Sequence, residues 1–320
     1  MARYLLGRVL SLIFVLFVVS VITFTLMHTV PGGPFDEGKQ RLPDAAKANI
    51  MRKYGLDQPV WKQYLNYMWH ALHFDFGIPY QVPTETVASL IAKTWSITFQ
   101  VGLMTVALAF SLGITFGMIA AYRRGSWIDT GVTFFATLGT TLPNFVVALW
   151  LILGFAYGLK ILPSGGWSEP ENWVIPGVFS KDWILPVLAY ALMPMALVAR
   201  YTRASMVDAL QSDYVRTARA KGLRDRTIMV RHVLKNAAIP MVTALGPIIP
   251  DLITGSIFIE AVFRIPGLGK YFVTSTFNRD YPMIMALMLL IAMLWGITYI
   301  LTDLAYVALD PRVRLGGKVR

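Results

Sequence analysis

The 320-residue chain contains no cysteine. Disulfides, thiolate metal sites, iron–sulfur clusters and cysteine nucleophiles are therefore excluded. Histidine is scarce as well. His28, His70, His73 and His232 are the only four, and no two of them form an HxH or HxxxH pair, so a histidine-built metal site is not expected. Charge is the third shortage: only 15% of the residues are charged, against about 25% in an ordinary soluble protein. Also missing is the phosphate loop GxxxxGK[ST]. The nearest run, Gly267-Leu268-Gly269-Lys270-Tyr271, lacks the upstream glycine and the magnesium-binding hydroxyl. A phosphate loop needs both stacked backbone N–H groups and that hydroxyl, so this chain is not expected to hydrolyse ATP.

What is abundant is apolar surface. Hydrophobic residues make up 56% of the chain and aromatics 13%. A soluble domain of this size could not bury so much, and the composition points to a protein solvated by lipid. The aromatic content also excludes a disordered chain.

Six stretches, roughly 9–30, 95–122, 130–159, 183–198, 237–263 and 283–309, are apolar enough to cross a membrane whose hydrocarbon core is about 30 Å thick. The fourth is the shortest. The first outruns a signal-peptide core, and no small-x-small cleavage site precedes the turn Val30-Pro31-Gly32-Gly33, so it is expected to remain as a span. The chain's net charge of +11 is distributed unevenly. With the N-terminus inside, the inner segments carry +12 and the outer segments +2. The positive-inside rule accounts for that split without nucleic acid and places both termini in the cytoplasm. Three acids fall within spans. Glu260 and Asp303 lie near span ends, within reach of the interface, whereas Asp251 is central.

The outer segment 31–93 is too long for a simple loop. Asp44 can cap a helix reaching Tyr54, with Gly55 as its stop. Pro59 opens a second helix in its first turn. Trp61, Tyr64, Leu65, Met68 and Leu72 line one face of that helix. The face packs on the protein's own spans or on the lipid interface, or it forms a rim for an external partner. A third amphipathic piece, 84–93, leads into the second span. Within that span Gly113 and Gly117 form a GxxxG that lets another helix approach. The third span carries Thr140, Thr141, Pro143 and Asn144. They make either a structural kink, with the freed carbonyls satisfied by the threonines, or a lining for a pathway.

The inner segment 200–235 is the most informative. Asp213 can cap a helix over 214–221, and Gly222 can stop it in the left-handed conformation that glycine adopts cheaply. Asp225 can cap a second helix that runs from Arg226 toward Pro240. Thr217, Ala218 and Ala220 keep the first helix slim, while Arg216, Arg219 and Lys221 make it basic. Such a helix suits insertion into a groove of another protein. The competing reading is a basic loop held at anionic lipid headgroups.

The run Asp213-Tyr214-Val215-Arg216-Thr217-Ala218-Arg219-Ala220-Lys221-Gly222-Leu223, followed by Arg231-His232-Val233-Leu234-Lys235-Asn236-Ala237, resembles the cytoplasmic loop of ABC-transporter importer permeases. Its form is that of the oligopeptide, dipeptide and nickel branch, and is most similar to the first permease subunit of oligopeptide importers. Pro31-Gly32-Gly33-Pro34-Phe35, Lys53-Tyr54-Gly55-Leu56-Asp57 and Asp75-Phe76-Gly77 resemble that branch's outer signatures. Gly255-Ser256, Glu260, Pro266-Gly267-Leu268-Gly269 and Asn278-Arg279-Asp280-Tyr281 resemble its fifth-span region, and Asp310-Pro311-Arg312 its C-terminal signature. The broad importer pattern is Glu-Ala-Ala-x-x-x-Gly, then Ile-x-Leu-Pro. Here Arg216 and Thr217 replace the first two residues, while Ala218 and Gly222 match. His232 and Lys235 replace the isoleucine and proline, and Leu234 matches.

The resemblance implies an all-α integral membrane protein with the six-helix architecture of type I importer permeases, sited in the bacterial plasma (inner) membrane. Region 1–94 would hold the first span and the outer helical segment. Region 95–310 would be a five-helix core with a coupling loop at 200–236, and 311–320 a basic tail. The implied partners are a second permease subunit, two cytoplasmic ATPase subunits that hold ATP and magnesium, and an extracellular substrate-binding protein. No cofactor is expected on this chain. Tyr214, Arg216, Thr217, Ala218, Arg219, Lys221, Gly222 and Leu223 would couple to the ATPase. Candidates for the route are Thr141, Pro143, Asn144, Asp251, Thr254 and Phe258. Pro247, Thr254 and Gly255 share the helical face of Asp251, and Phe258 continues it one turn on. The rival reading is an ion-coupled carrier or channel built on Asp251, because a central carboxylate in a span is costly. Against it, no basic residue lies in that span and no internal repeat is visible. An intramembrane enzyme would need a nucleophile–base pair that the sequence does not offer.

Overall fold

The computed structural model describes residues 2–35, 49, 51–167, 173–175 and 179–309. The capping role of Asp44, the 310–312 signature and the basic tail lie outside the described residues. Apart from a small antiparallel pair, β1 (Trp173–Ile175) with β2 (Phe179–Ser180), the architecture is helical.

Helix α1 (Ala2–Thr29) is apolar on all sides and leaves Leu10, Phe14 and Phe17 exposed, as a helix in lipid should. In the outer segment Gly55 ends a helical stretch at φ +67°, and α2 (Val60–Ala71) follows. Pro59 is the residue before its first turn rather than within it, and its carbonyl accepts from the Lys62 and Gln63 N–H groups. The amphipathic piece expected at 84–93 and the second span form one helix, α3 (Val87–Tyr122). It starts where the Thr86 hydroxyl accepts from the Ser89 N–H at 3.2 Å. Its 36 residues span about 54 Å, so its first turns project beyond the hydrocarbon.

The third apolar stretch is broken, not merely kinked. Helix α4 (Trp127–Thr141) and helix α5 (Asn144–Leu151), the latter continued by a wide π turn to Gly158, meet at a bend of 105°. Pro143 has no N–H to continue the ladder. The hydroxyls of Thr140 and Thr141 fold back on the carbonyls of Ala136 and Thr137, one turn before the break. They do not satisfy the carbonyls that Pro143 frees. The fourth span is the reverse of its short expected form: α6 (Ile184–Leu210) has 27 residues and accommodates Pro194 internally.

The fifth stretch, expected as one span over 237–263, is divided among α8 (Leu234–Leu245), α9 (Ile248–Thr254) and α10 (Ile257–Val262). Gly246-Pro247 interrupts the ladder first, and Gly255, at φ +91° and ψ 172°, reverses it. Phe258 therefore does not continue the Asp251 face, because the two residues sit on different helices. Helices α11 (Leu268–Phe277) and α12 (Tyr281–Leu309) complete the chain. Among the described residues, four helical stretches are long and apolar enough to cross a membrane singly: Tyr4–Thr29, Val87–Tyr122, Lys181–Leu210 and Tyr281–Ala305. The bent α4–α5 pair makes a fifth.

The core is the seam between α3 and α6. A methyl added at Gly113 would lie 2.7 Å from Val198 Cβ, and one at Gly117 would lie 2.5 Å from the Ala199 carbonyl. The GxxxG is thus the place where α6 touches backbone. Around this seam Val101, Val147, Leu185, Leu252 and Phe263 form a buried cluster that joins α3, α5, α6 and α9 to the turn after α10. Asp303 pairs with Arg8 of α1 at 2.7 Å.

Candidate coupling surface and route

Helix α6 ends at Leu210, and α7 (Asp213–Ala220) follows after a tight turn. Ser212 takes the capping position and Asp213 the first turn, so the helix starts one residue earlier than the sequence suggests. Asp213 favours the helix N-terminus through the dipole and lies 3.4 Å from Arg216. Both groups are exposed, so the pair contributes little. Val215 and Ala218 are buried on the cluster that also holds Met206, Ile228, Met229 and Val233. This apolar footing fixes the helix to the rest of the molecule. Ala218 is thereby removed from the outward face. Tyr214, Arg216, Thr217 and Arg219 remain exposed, with Lys221, Gly222 and Leu223 beyond them.

Gly222 adopts φ +71°, and its N–H closes on the Arg219 carbonyl at 2.9 Å. The chain then turns into Asp225–Thr227 and a π turn to Val233 that leads into α8. Asp225 lies inside that turn rather than capping it. Its carboxylate accepts from the Tyr122 hydroxyl at 3.0 Å, which ties the segment to the end of α3. A second tie was not legible in the sequence. The Arg203 guanidinium of α6 grips Asp129 at the start of α4 through two N–H groups, one of them at 2.8 Å, and the Gly125 N–H adds a third bond at 2.9 Å. A basic outward face therefore rests on an apolar base that is braced to three spans.

The route candidates divide. The break at Pro143 and the break at Gly255 meet: Asn144 Nδ2 donates to Ser256 Oγ at 3.5 Å, and the rings of Phe145 and Phe258 lie 5.8 Å apart. Ser256 entered the sequence reading only as part of the Gly255-Ser256 resemblance and Phe145 not at all, although a glycine-serine pair inside an apolar run is a helix-break signal. Thr141 is not drawn into this junction, because its hydroxyl returns to its own helix. Asp251 is exposed, and among the described residues its carboxylate has no hydrogen-bond or ionic partner. Its carbonyl accepts from the Tyr190 and Thr254 hydroxyls at 3.0 and 3.1 Å.

Glu260 does not reach an interface. It is 4% exposed. The Thr98 hydroxyl donates to its Oε1 at 2.8 Å, and the Gly269 N–H donates to its Oε2 at 2.6 Å. The Leu268 N–H donates in turn to Thr98 Oγ1 at 2.9 Å. Gly255, Gly267 and Gly269 crowd this carboxylate so closely that none has room for a side chain. The buried acid thus joins α10, which carries Phe258, to α3 and to the start of α11.

Residues 113–315 match the family described as binding-protein-dependent transport system inner membrane component, and residues 1–79 match its N-terminal companion. The chain is 39% identical to the dipeptide transport system permease protein DppB of Bacillus subtilis (strain 168), over 99% of its own length and all of the relative's. It is 38% identical to the oligopeptide transport system permease proteins OppB of Salmonella typhimurium and Escherichia coli K12, over 98% of its length and all of theirs. The fold is shared with a chain of the inward-facing MetNI methionine ABC transporter. That match has a TM-score of 0.53 at 17% identity and covers 69% of this chain and 96% of that one. The chain belongs to the binding-protein-dependent inner-membrane permease family of ABC transporters.

Proposed function

We propose that this chain is the peptide-translocating permease subunit of an ATP-driven importer, taking dipeptides or oligopeptides from an extracellular binding protein. The observation that carries this reading is the identity of 39% and 38%, over essentially full length, to dipeptide and oligopeptide permeases. The exposed basic face of α7, set on an apolar footing and ended by Gly222, fits a groove on a cytoplasmic ATPase. Energy enters from that partner, because this chain carries no phosphate loop. ATP and magnesium sit in two ATPase subunits. A second permease subunit covers the face that bears Asp251 and Phe258, and the route runs between the two. Six crossings with both termini inside follow from the +12 and +2 charge split, with 237–263 crossing as a broken span. Breaks of this kind are tolerated within the membrane where protein or a water-filled route surrounds them.

The test is uptake of labelled peptides into liposomes that hold the complete transporter. Import should require ATP, the ATPase subunits and the binding protein together. Import that persists without the ATPase and follows an ion gradient would replace this reading with an Asp251-based carrier.

A further inference from the structure

We propose that α2 is an in-plane helix of the outer membrane boundary, with the stripe Trp61–Leu65–Trp69–Leu72 immersed in the lipid of the outer leaflet. The inference does not depend on what the protein transports.

Contacts with the spans fix the depth of α2. Gln63 Oε1 lies 3.3 Å from His28 Nε2 on the last turn of α1, and the Tyr64 hydroxyl reaches Ser20 Oγ, about two turns deeper, at 2.8 Å. One turn further along α2, the Tyr67 hydroxyl donates to the Pro282 carbonyl at 3.3 Å, at the start of α12. Helices α1 and α12 are antiparallel neighbours, tied by Tyr281 to the Met27 carbonyl at one end and by Arg8 to Asp303 at the other. So α2 lies across the outer ends of this pair. His28 follows Arg8 by 20 positions, or about 30 Å of helix, which is the thickness of the hydrocarbon core. With Arg8 at the inner boundary, α2 rests at the outer one.

The sequence of α2 has three sides, at about 100° per residue. Tyr64, Tyr67 and Ala71 share the side that touches the spans. Lys62, Asn66 and His70 share a polar side. All three are exposed, which makes theirs the water side. Asn66 and His70 also border a cavity of about 550 Å³ that reaches from the stretches 53–58 and 75–80 to Phe24 and His28 of α1 and Tyr281 and Met285 of α12. The apolar stripe lies on the third side, about 100° round the helix from the polar one, and its four residues are 57–71% exposed. A helix with protein on one side, polar groups on the second and exposed tryptophan and leucine on the third has the pattern of an interfacial anchor, and tryptophan is the residue enriched at that depth.

Because the chain has no cysteine, single nitroxide labels can be introduced cleanly. Leu65→Cys, Leu72→Cys, Lys62→Cys and Asn66→Cys are labelled in the complete transporter in liposomes. Collision with oxygen, which enters lipid, is compared with collision with a water-soluble nickel chelate. Oxygen should exceed nickel at 65 and 72, and nickel should exceed oxygen at 62 and 66. Nickel access at 65 and 72 equal to that at 62 would place the stripe in water and overturn the proposal. Shielding of 65 and 72 from both reagents would show that protein covers the stripe, and would overturn it equally.

Discussion

Thr98 and Glu260 are 162 positions apart in sequence, yet share a buried hydrogen bond of 2.8 Å in which the threonine donates to the carboxylate. The Thr98 oxygen also accepts from the Leu268 N–H, which leaves its one O–H proton for the carboxylate. The other carboxylate oxygen accepts from the Gly269 N–H. Two donors thus converge on one side chain that has no donor of its own when ionised.

Glu260→Gln presents only one acceptor to those two donors, and its amide N–H₂ must face the other. Leaving a buried donor unsatisfied costs about 1–3 kcal/mol. Thermal unfolding in detergent should shift down for Glu260→Gln and not for the exposed control Asp57→Asn. The double variant Thr98→Val, Glu260→Leu should lose more still, because the buried Leu268 and Gly269 N–H groups are then both left without an acceptor. An unchanged unfolding temperature for Glu260→Gln would show that the clamp does not hold α10.

Asp251 is exposed on α9, next to the junction where Asn144 meets Ser256. On the proposed reading its carboxylate would border the route and meet the polar backbone or amino terminus of a passing peptide. Asp251→Asn keeps the shape and removes the charge. Uptake should fall, and the fall should depend on substrate charge, while co-purification of the second permease is unaffected. Equal loss for every peptide together with failed assembly would make the residue a subunit contact instead.

Topology can be read directly. Reporter fusions after Arg124 and Met206 should be cytoplasmic, and fusions near Lys62 external, as the charge split requires. An external signal at Met206 would place the basic segment 200–235 on the wrong side.

Much of the helical architecture was legible because apolar length is a strong signal. The GxxxG at Gly113 and Gly117 was legible too, since small residues mark close helix contacts. The breaks were not fully legible. Pro143 announced one, but hydropathy is blind to the left-handed Gly255 inside an apolar run, so 237–263 read as one helix. The fourth span read short because its inner half carries Arg200, Arg203 and Asp208. Those charges lie past the membrane while the helix itself continues to Leu210. The partners of Glu260 and Asp129 are set by tertiary packing, and no local pattern in one sequence places Thr98 beside Glu260 or Arg203 beside Asp129. On α7 the basic residues were legible as an exposed face. That Ala218 turns inward with Val215 was not, because alanine suits either environment.

The most direct test of energy coupling through α7 is site-specific crosslinking to the ATPase. Thr217→Cys and Ala218→Cys are each the only cysteine in the chain, and each is treated with a short thiol–amine crosslinker in the complete transporter. Thr217→Cys should join an ATPase subunit, with a yield that changes when ATP is added. Ala218→Cys, facing Met206 and Ile228, should not. Gly222→Val, which forces a β-branched residue to φ +71°, should leave insertion intact but sever uptake from ATP hydrolysis. If Thr217→Cys instead crosslinks only to lipid or to the chain's own spans, and Gly222→Val imports normally, α7 is a membrane-surface loop and the energy enters elsewhere.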